Sequence, residues 1–154
     1  MSSKTIYHRM KSFNARMAAN YRRGIGPTRF VLLLTTIGRK SSLPRVTPLQ
    51  FEKVDGAYYI GSARGQDADW FKNILANPNV QVNIHDREFN AIAEPITDPS
   101  RIADFIDLRL HRHPIMVRLI MHLFDHLPLR FTRIDLEQLS KGKALVILHP
   151  HKTS

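Results

Sequence analysis

The sequence predicts an α+β fold, mainly β: about six strands in hairpin-like succession, closed into an antiparallel barrel with helices inserted between them. Three observations predict it. Short apolar or alternating runs recur along the chain, bounded by Gly, Pro, Asn and Asp signals. The dipeptide Asp55-Gly56 is a strong two-residue hairpin turn. Successions of this kind favour an antiparallel barrel over a doubly wound parallel sheet, and closure removes exposed sheet edges. With 154 residues, 43% of them hydrophobic, the chain has enough apolar material for one domain with a real core. No repeat, low-complexity tract or linker divides it, so residues 1–154 are read as a single domain.

The elements follow in order. Ile6, Met10, Phe13, Met17 and Tyr21 recur at spacings of three and four, which predicts a basic N-terminal helix within residues 1–24, ended by Gly24-Ile25-Gly26-Pro27. Residues 30–36, FVLLLTT, read as a strand buried on both faces. A second strand is expected at 45–53, with Pro48 arguing for an edge or a bulge. Residues 57–62 return after the hairpin turn. Asp67 is a candidate cap for a helix from about Ala68 to Ala76, stopped at Asn77-Pro78. Val80, Val82 and Ile84 alternate as in a half-buried strand, Asp86-Arg87 turns the chain, and 88–96 run back. A helical insertion over 98–128 opens at Asp98-Pro99-Ser100 and is broken at Pro114 and Pro128. ALVIL at 144–148 is the last buried strand.

The formal net charge is +10, and its placement is uneven. Met1 to Phe51 holds ten Lys or Arg and no Asp or Glu, while the remainder carries thirteen of each sign. The excess in the first third points to an anionic partner: nucleic acid, an anionic lipid surface or a phosphorylated small molecule. Cysteine is absent, which excludes disulfides, thiolate metal sites and a cysteine nucleophile and fits a reducing cytoplasm. The N-terminus has no secretory h-region, and no apolar stretch reaches the ~20 residues of a membrane-spanning helix.

Two segments carry chemistry. In Thr35-Thr36-Ile37-Gly38-Arg39-Lys40-Ser41-Ser42-Leu43-Pro44-Arg45 a buried strand delivers a short loop with Gly, Arg, Lys and two Ser. Arg39 offers a planar fork for phosphate oxygens, Lys40 a compact charge, Ser41 and Ser42 hydroxyl and backbone donors. The Walker spacing is absent, and a solvated turn with ordinary surface charges is the competing reading. In Gly61-Ser62-Ala63-Arg64-Gly65-Gln66-Asp67-Ala68-Asp69-Trp70-Phe71-Lys72-Asn73 a second strand ends in a Gly/Arg loop that leads into a helix. Trp70 either stacks on an aromatic ligand or packs in the core, and the core is the usual place for a lone Trp.

These segments, with Pro44-Arg45-Val46-Thr47-Pro48-Leu49 and Trp70-Phe71-Lys72-Asn73-Ile74-Leu75-Ala76-Asn77-Pro78, resemble the deazaflavin (coenzyme F-420)-dependent nitroreductase family. The resemblance is detailed over about residues 30–96. It implies an antiparallel, FMN-binding split-barrel-like fold and a reduced deazaflavin as hydride donor to an electron-poor acceptor such as a quinone, enone or nitro compound. It implies that Arg39, Lys40 and Ser41 bind the cofactor's phosphate and acidic tail. Arg45, Val46, Thr47, Pro48 and Leu49 lie along its ring system, with Ser62, Ala63, Arg64, Trp70 and Asn73 added from the second loop. Ser42 and the Arg64-Gly65-Gln66 loop depart from the family's usual glycines. A homodimer is expected by analogy with other split barrels.

Other readings stay open. FMN is the alternative cofactor, and a non-catalytic split barrel that binds a lipid or pigment is the alternative function. Nucleic-acid binding is disfavoured because no reading helix is recognisable. His122 and His126 are four apart, so a helix would place them on one face, but Leu123 stands where a zinc-protease helix needs Glu and no third ligand is evident, so no metal site is expected. No catalytic side chain is assigned. Residues 115–127, IMVRLIMHLFDHL, are apolar on most faces: a core or dimer helix, or the wall of an apolar pocket. Peripheral membrane contact through this segment or the basic N-terminal helix is a further option.

Overall fold

A computed structural model describes residues 31–62 and 64–151. The expected N-terminal helix and Ala63 lie outside the described residues. Seven strands and four helices follow: β1 (Val31–Ile37), β2 (Pro44–Gln50), β3 (Glu52–Val54), β4 (Ala57–Ser62), α1 (Asp69–Ala76), β5 (Asn79–Ile84), β6 (Arg87–Ile96), α2 (Pro99–Arg112), α3 (Pro114–Phe124), α4 (Arg133–Ser140) and β7 (Ala144–Pro150). All pairings are antiparallel, in the order β2-β1-β5-β6-β7-β4-β3. The fold is α+β, a curled antiparallel half-barrel. The count is seven rather than six because the strand expected at 45–53 is interrupted at Phe51. Its first part pairs with β1 and its second with β4, so both ends of the strand order belong to one stretch of chain and the sheet curls. Pro48 sits on β2, at the end of the strand order, where a missing N–H costs least.

Strand alternation gives the sheet two buried faces. Leu32, Leu34, Tyr58, Ile60, Val82 and Val146 point inward, where Trp70, Phe71 and Ile74 of α1 plug the curled sheet. Leu145 and Ile147 point outward and are covered by α2 and its neighbours through Phe105, Ile106, Leu110 and Val117. The run ALVIL is therefore continuous because β7 is buried on both faces.

Local chemistry sets the boundaries. Asp55 and Gly56 have φ of 50° and 82°, the positive values that a hairpin turn of this length demands. The β5–β6 turn falls one residue earlier than expected: Ile84 pairs with Arg87, and His85, at φ 55°, takes the turn with Asp86. Asp67 does not cap α1; it closes a short 3₁₀ turn, Gly65–Asp67, and Ala68 occupies the cap position with no side-chain bond. Asp98 accepts from the Ser100 amide at 3.2 Å, with Pro99 inside the first turn of α2. Pro114 separates α2 from α3 as expected. The helical insertion extends beyond residue 128: α4 begins with a reciprocal capping box between Thr132 and Asp135, a T-x-x-D signature legible in the sequence.

Candidate functional site

Every neighbouring pair in the sheet is antiparallel, so β1 and β4, four places apart in the strand order, run in the same direction. Their C-terminal ends therefore lie at one end of the half-barrel. The loop after β1, with Gly38, Arg39, Lys40 and Ser41, and the loop after β4, with Arg64 and Gly65, emerge there together. The sequence holds these two segments more than twenty residues apart; the sheet brings them to one rim.

The first loop is tightly closed. Gly38 donates to the Leu43 carbonyl at 2.8 Å, the Ser42 amide donates to the Gly38 carbonyl at 2.8 Å, and the Leu43 amide donates to Ser41 Oγ at 3.2 Å. A Cβ on Gly38 would lie 2.5 Å from Ser41 Oγ and 3.2 Å from the Leu43 carbonyl, which explains glycine here. Ser42 takes φ 60°, the left-handed conformation that glycine adopts without cost.

A polar knot ties this loop to α1. Asn73, 4% exposed, donates from Nδ2 to Thr36 Oγ1 at 3.2 Å. Asn73 Oδ1 accepts from the Arg39 amide at 3.2 Å and from Arg39 Nη1 at 2.9 Å. Arg39 also donates to the Asp69 carbonyl at 3.4 Å and meets Asp69 Oδ1 at 3.3 Å. Arg39 is thus the strap between loop and helix rather than a fully uncommitted cation. Thr36 and Asp69 were not expected among the site residues. Thr36 was findable from the period of two in the FVLLLTT run, which places it on the same face as Leu32 and Leu34.

The other expected residues divide. Lys40, Arg45 and Arg64 are exposed at the rim, and no side-chain hydrogen bond or ion pair with another described residue holds Lys40 or Arg45. The run 45–49 does not present one surface. Arg45, Thr47 and Leu49 stand opposite Thr36, Leu34 and Leu32 and share their inner face; Val46 and Pro48 stand opposite Thr35 and Leu33 on the outer face. Trp70, 8% exposed, packs edge-on against Phe71 in the inner core. Ser62 closes β4 on the inner face, and its Oγ is buried with no hydrogen-bond partner among the described residues. Among the described residues no group of three or more His, Asp or Glu is arranged to hold a metal ion. His122 and His126 do not share a helix face: α3 ends at Phe124, His126 lies beyond it at φ 58°, and His122 bonds the Leu127 carbonyl through Nδ1 at 2.8 Å.

The donor set suits an anionic ligand with a polar edge: permanent cations at the rim, strand residues of β2 descending from it, and one orphaned buried hydroxyl. Residues 4–114 match the family model described as F420H(2)-dependent quinone reductase. The chain belongs to that family. The F420H(2)-dependent quinone reductases Rv1261c and MT1299, from two strains of Mycobacterium tuberculosis, are each 38% identical to it over 68 residues. That alignment covers 42% of this chain and 46% of each relative, so the chain matches just under half the length of these proteins.

Solved structures agree on the fold. The F420-H2 dependent reductase FDR-A superposes with a TM-score of 0.53 at 22% identity, over 79% of this chain and 95% of that one. A protein described as a domain-swapped dimer gives 0.55 at 21%, over 96% and 100%. HutZ, the heme storage protein from Vibrio cholerae, gives 0.54 at 18%, over 91% and 92%. Proteins named as a reductase and as a storage protein thus share one architecture, and the fold by itself does not choose between such roles.

Proposed function

We propose that this protein is an oxidoreductase that passes a hydride from reduced F420 to an electron-poor small organic acceptor, a quinone in the first instance, with enones and nitro compounds as further candidates. The observation that carries the reading is the meeting of the two family-like loops at one end of the half-barrel, knotted by Arg39, Asn73, Thr36 and Asp69. The cofactor supplies the hydride. The protein's part is to bind, orient and shield. Lys40, Arg45 and Arg64 answer the phosphate and the acidic tail, with Ser41 beside them. Thr47 and Leu49 offer an inner-facing edge for the ring, and the Ser62 hydroxyl is available to bond its polar side. Trp70 and Asn73 act from beneath, by holding the loop and the helix in place. Nothing in this assignment needs a side-chain nucleophile or a metal.

A homodimer in a reducing cytoplasm completes the proposal. The domain-swapped assembly of the fold neighbour and the absence of cysteine support it. Among the described residues no helix is long and apolar enough to cross a membrane.

The test is a titration of the purified chain with F420 and with FMN, followed by turnover of reduced F420 with a soluble quinone. Tight binding of F420, weak binding of FMN and quinone-dependent oxidation are expected. Indifference to both cofactors overturns the reading. Lys40→Glu with Arg45→Glu should weaken F420 binding at least tenfold, since each charge-assisted contact contributes about 1.5–3 kcal/mol. Its melting temperature should stay near that of the parent, because both side chains are exposed.

A further inference from the structure

Helix α3 is built with its apolar side outward. Val117 and Met121, one turn apart, are the residues of α3 that reach the core. On the opposite side Ile115, Leu119 and Leu123 form one stripe at 83%, 51% and 60% exposure. Met116, Ile120 and Phe124 form a second stripe beside it, with Phe124 77% exposed. An amphipathic helix of a water-surrounded surface has the reverse pattern. A contiguous exposed patch of this kind marks an interaction surface.

Its rim is cationic. No Asp or Glu occurs between Asp107 and Asp125, and Asp125 is itself neutralised by Lys143 at 3.0 Å. Arg118 flanks the apolar stripes and donates to the Leu129 carbonyl at 3.1 Å, which places the half-exposed Leu129 and the adjoining Arg130 beside the patch. The family match stops at residue 114, where this helix begins.

We propose that α3 seats this protein on an anionic lipid bilayer, with its two apolar stripes in the acyl boundary and Arg118 and Arg130 at the headgroup phosphates. Eleven residues make a helix of about 16 Å, too short to span the hydrocarbon core and suited to lying in its surface. Charge selects the bilayer over a second copy of the chain. A self-complementary contact would turn the Arg118 and Arg130 rims toward each other, with no acid on α3 to answer them. A net charge of +10 adds attraction to the anionic surface.

The experiment is flotation of the full chain with vesicles of phosphatidylcholine alone and with vesicles containing a third phosphatidylglycerol. The chain should float with the anionic vesicles and be released progressively by salt. The triple variant Ile115→Glu, Leu119→Glu, Leu123→Glu should lose at least tenfold in partitioning. The uncharged variant Ile115→Gln, Leu119→Gln, Leu123→Gln should lose most of it, which separates lost insertion from added repulsion. Both should keep the parent's melting temperature. Undiminished flotation of the variants overturns the proposal and moves any lipid binding elsewhere on the chain. No flotation of the parent overturns it as well, as does a parent dimer that the same substitutions split into monomers while lipid binding is unchanged.

Discussion

At the scale of single residues, Asn73 carries more of the site than its neighbours. It is buried, and its amide spends both ends on the loop: the Nδ2 side on Thr36, the Oδ1 side on Arg39. Asn73→Ala should cost about 1–3 kcal/mol, because the buried Thr36 hydroxyl and the Arg39 amide lose their partner together. The melting temperature should fall and F420 affinity with it, and a variant that melts like the parent would remove Asn73 from the knot. Ser42 gives the opposite sign. A left-handed φ of 60° in a residue with a Cβ costs about 1–2 kcal/mol, partly offset by glycine's greater freedom when unfolded. Ser42→Gly should therefore raise stability by about 0.5–1 kcal/mol in a denaturant titration while leaving the loop's ligands in place. The sequence showed which residues in this loop bear charge. It did not show that Arg39 is held by Asp69 and Asn73, because those partners lie 30 and 34 residues away and are brought near only by the packing of α1 on the sheet.

At the scale of elements, one carboxylate ties the α2–α3 junction to the edge of the sheet. Glu52 of β3, with its side chain 14% exposed, faces Arg112 at 3.1 Å, His113 at 3.0 Å and Arg109 at 3.9 Å, all at the α2–α3 junction. Arg112 also donates to the Lys53 carbonyl at 3.0 Å. Glu52→Ala leaves these basic groups crowded and unanswered, and should destabilise by about 2 kcal/mol. Thermal unfolding followed by circular dichroism checks this, and a loss below half that value would make the cluster a surface pairing. Strand and helix positions were largely readable because period, Pro and Gly are local signals. The interruption at Phe51 and the inward or outward sense of Arg45 to Leu49 were not, since both follow from which strands β2 and β3 pair with. The α4 helix is legible only in its capping box, because eight residues give too short a hydrophobic repeat to mark it.

Across the whole molecule, charge acts through linkage. Glu94 is held below the usual carboxylate range, chiefly by the hydrogen bond from His149 at 3.0 Å, with Arg101 adding attraction and partial burial opposing. A lowered folded-state value means that the contribution is present above the ordinary carboxylate range and is lost as pH falls through the folded value. The pair is exposed, so screening limits it to about 0.5 kcal/mol. Glu94→Gln should lower the melting temperature slightly at neutral pH, with the difference from the parent vanishing as pH falls through the lowered Glu94 value. A difference independent of pH would assign the effect to packing.

The sequence by itself determined the class of fold, most element boundaries, the absence of thiol chemistry and the concentration of positive charge in the first third, since composition and short-range periodicity are properties of contiguous residues. It also held the two loop motifs that mark the family. Only the tertiary structure decided that both loops share one rim, that Trp70 is core, that the run after Pro44 serves two faces, and that α3 turns its apolar side to solvent. Each of these depends on pairings between segments far apart in the chain, and a strand or helix has no inside until its partner is in place.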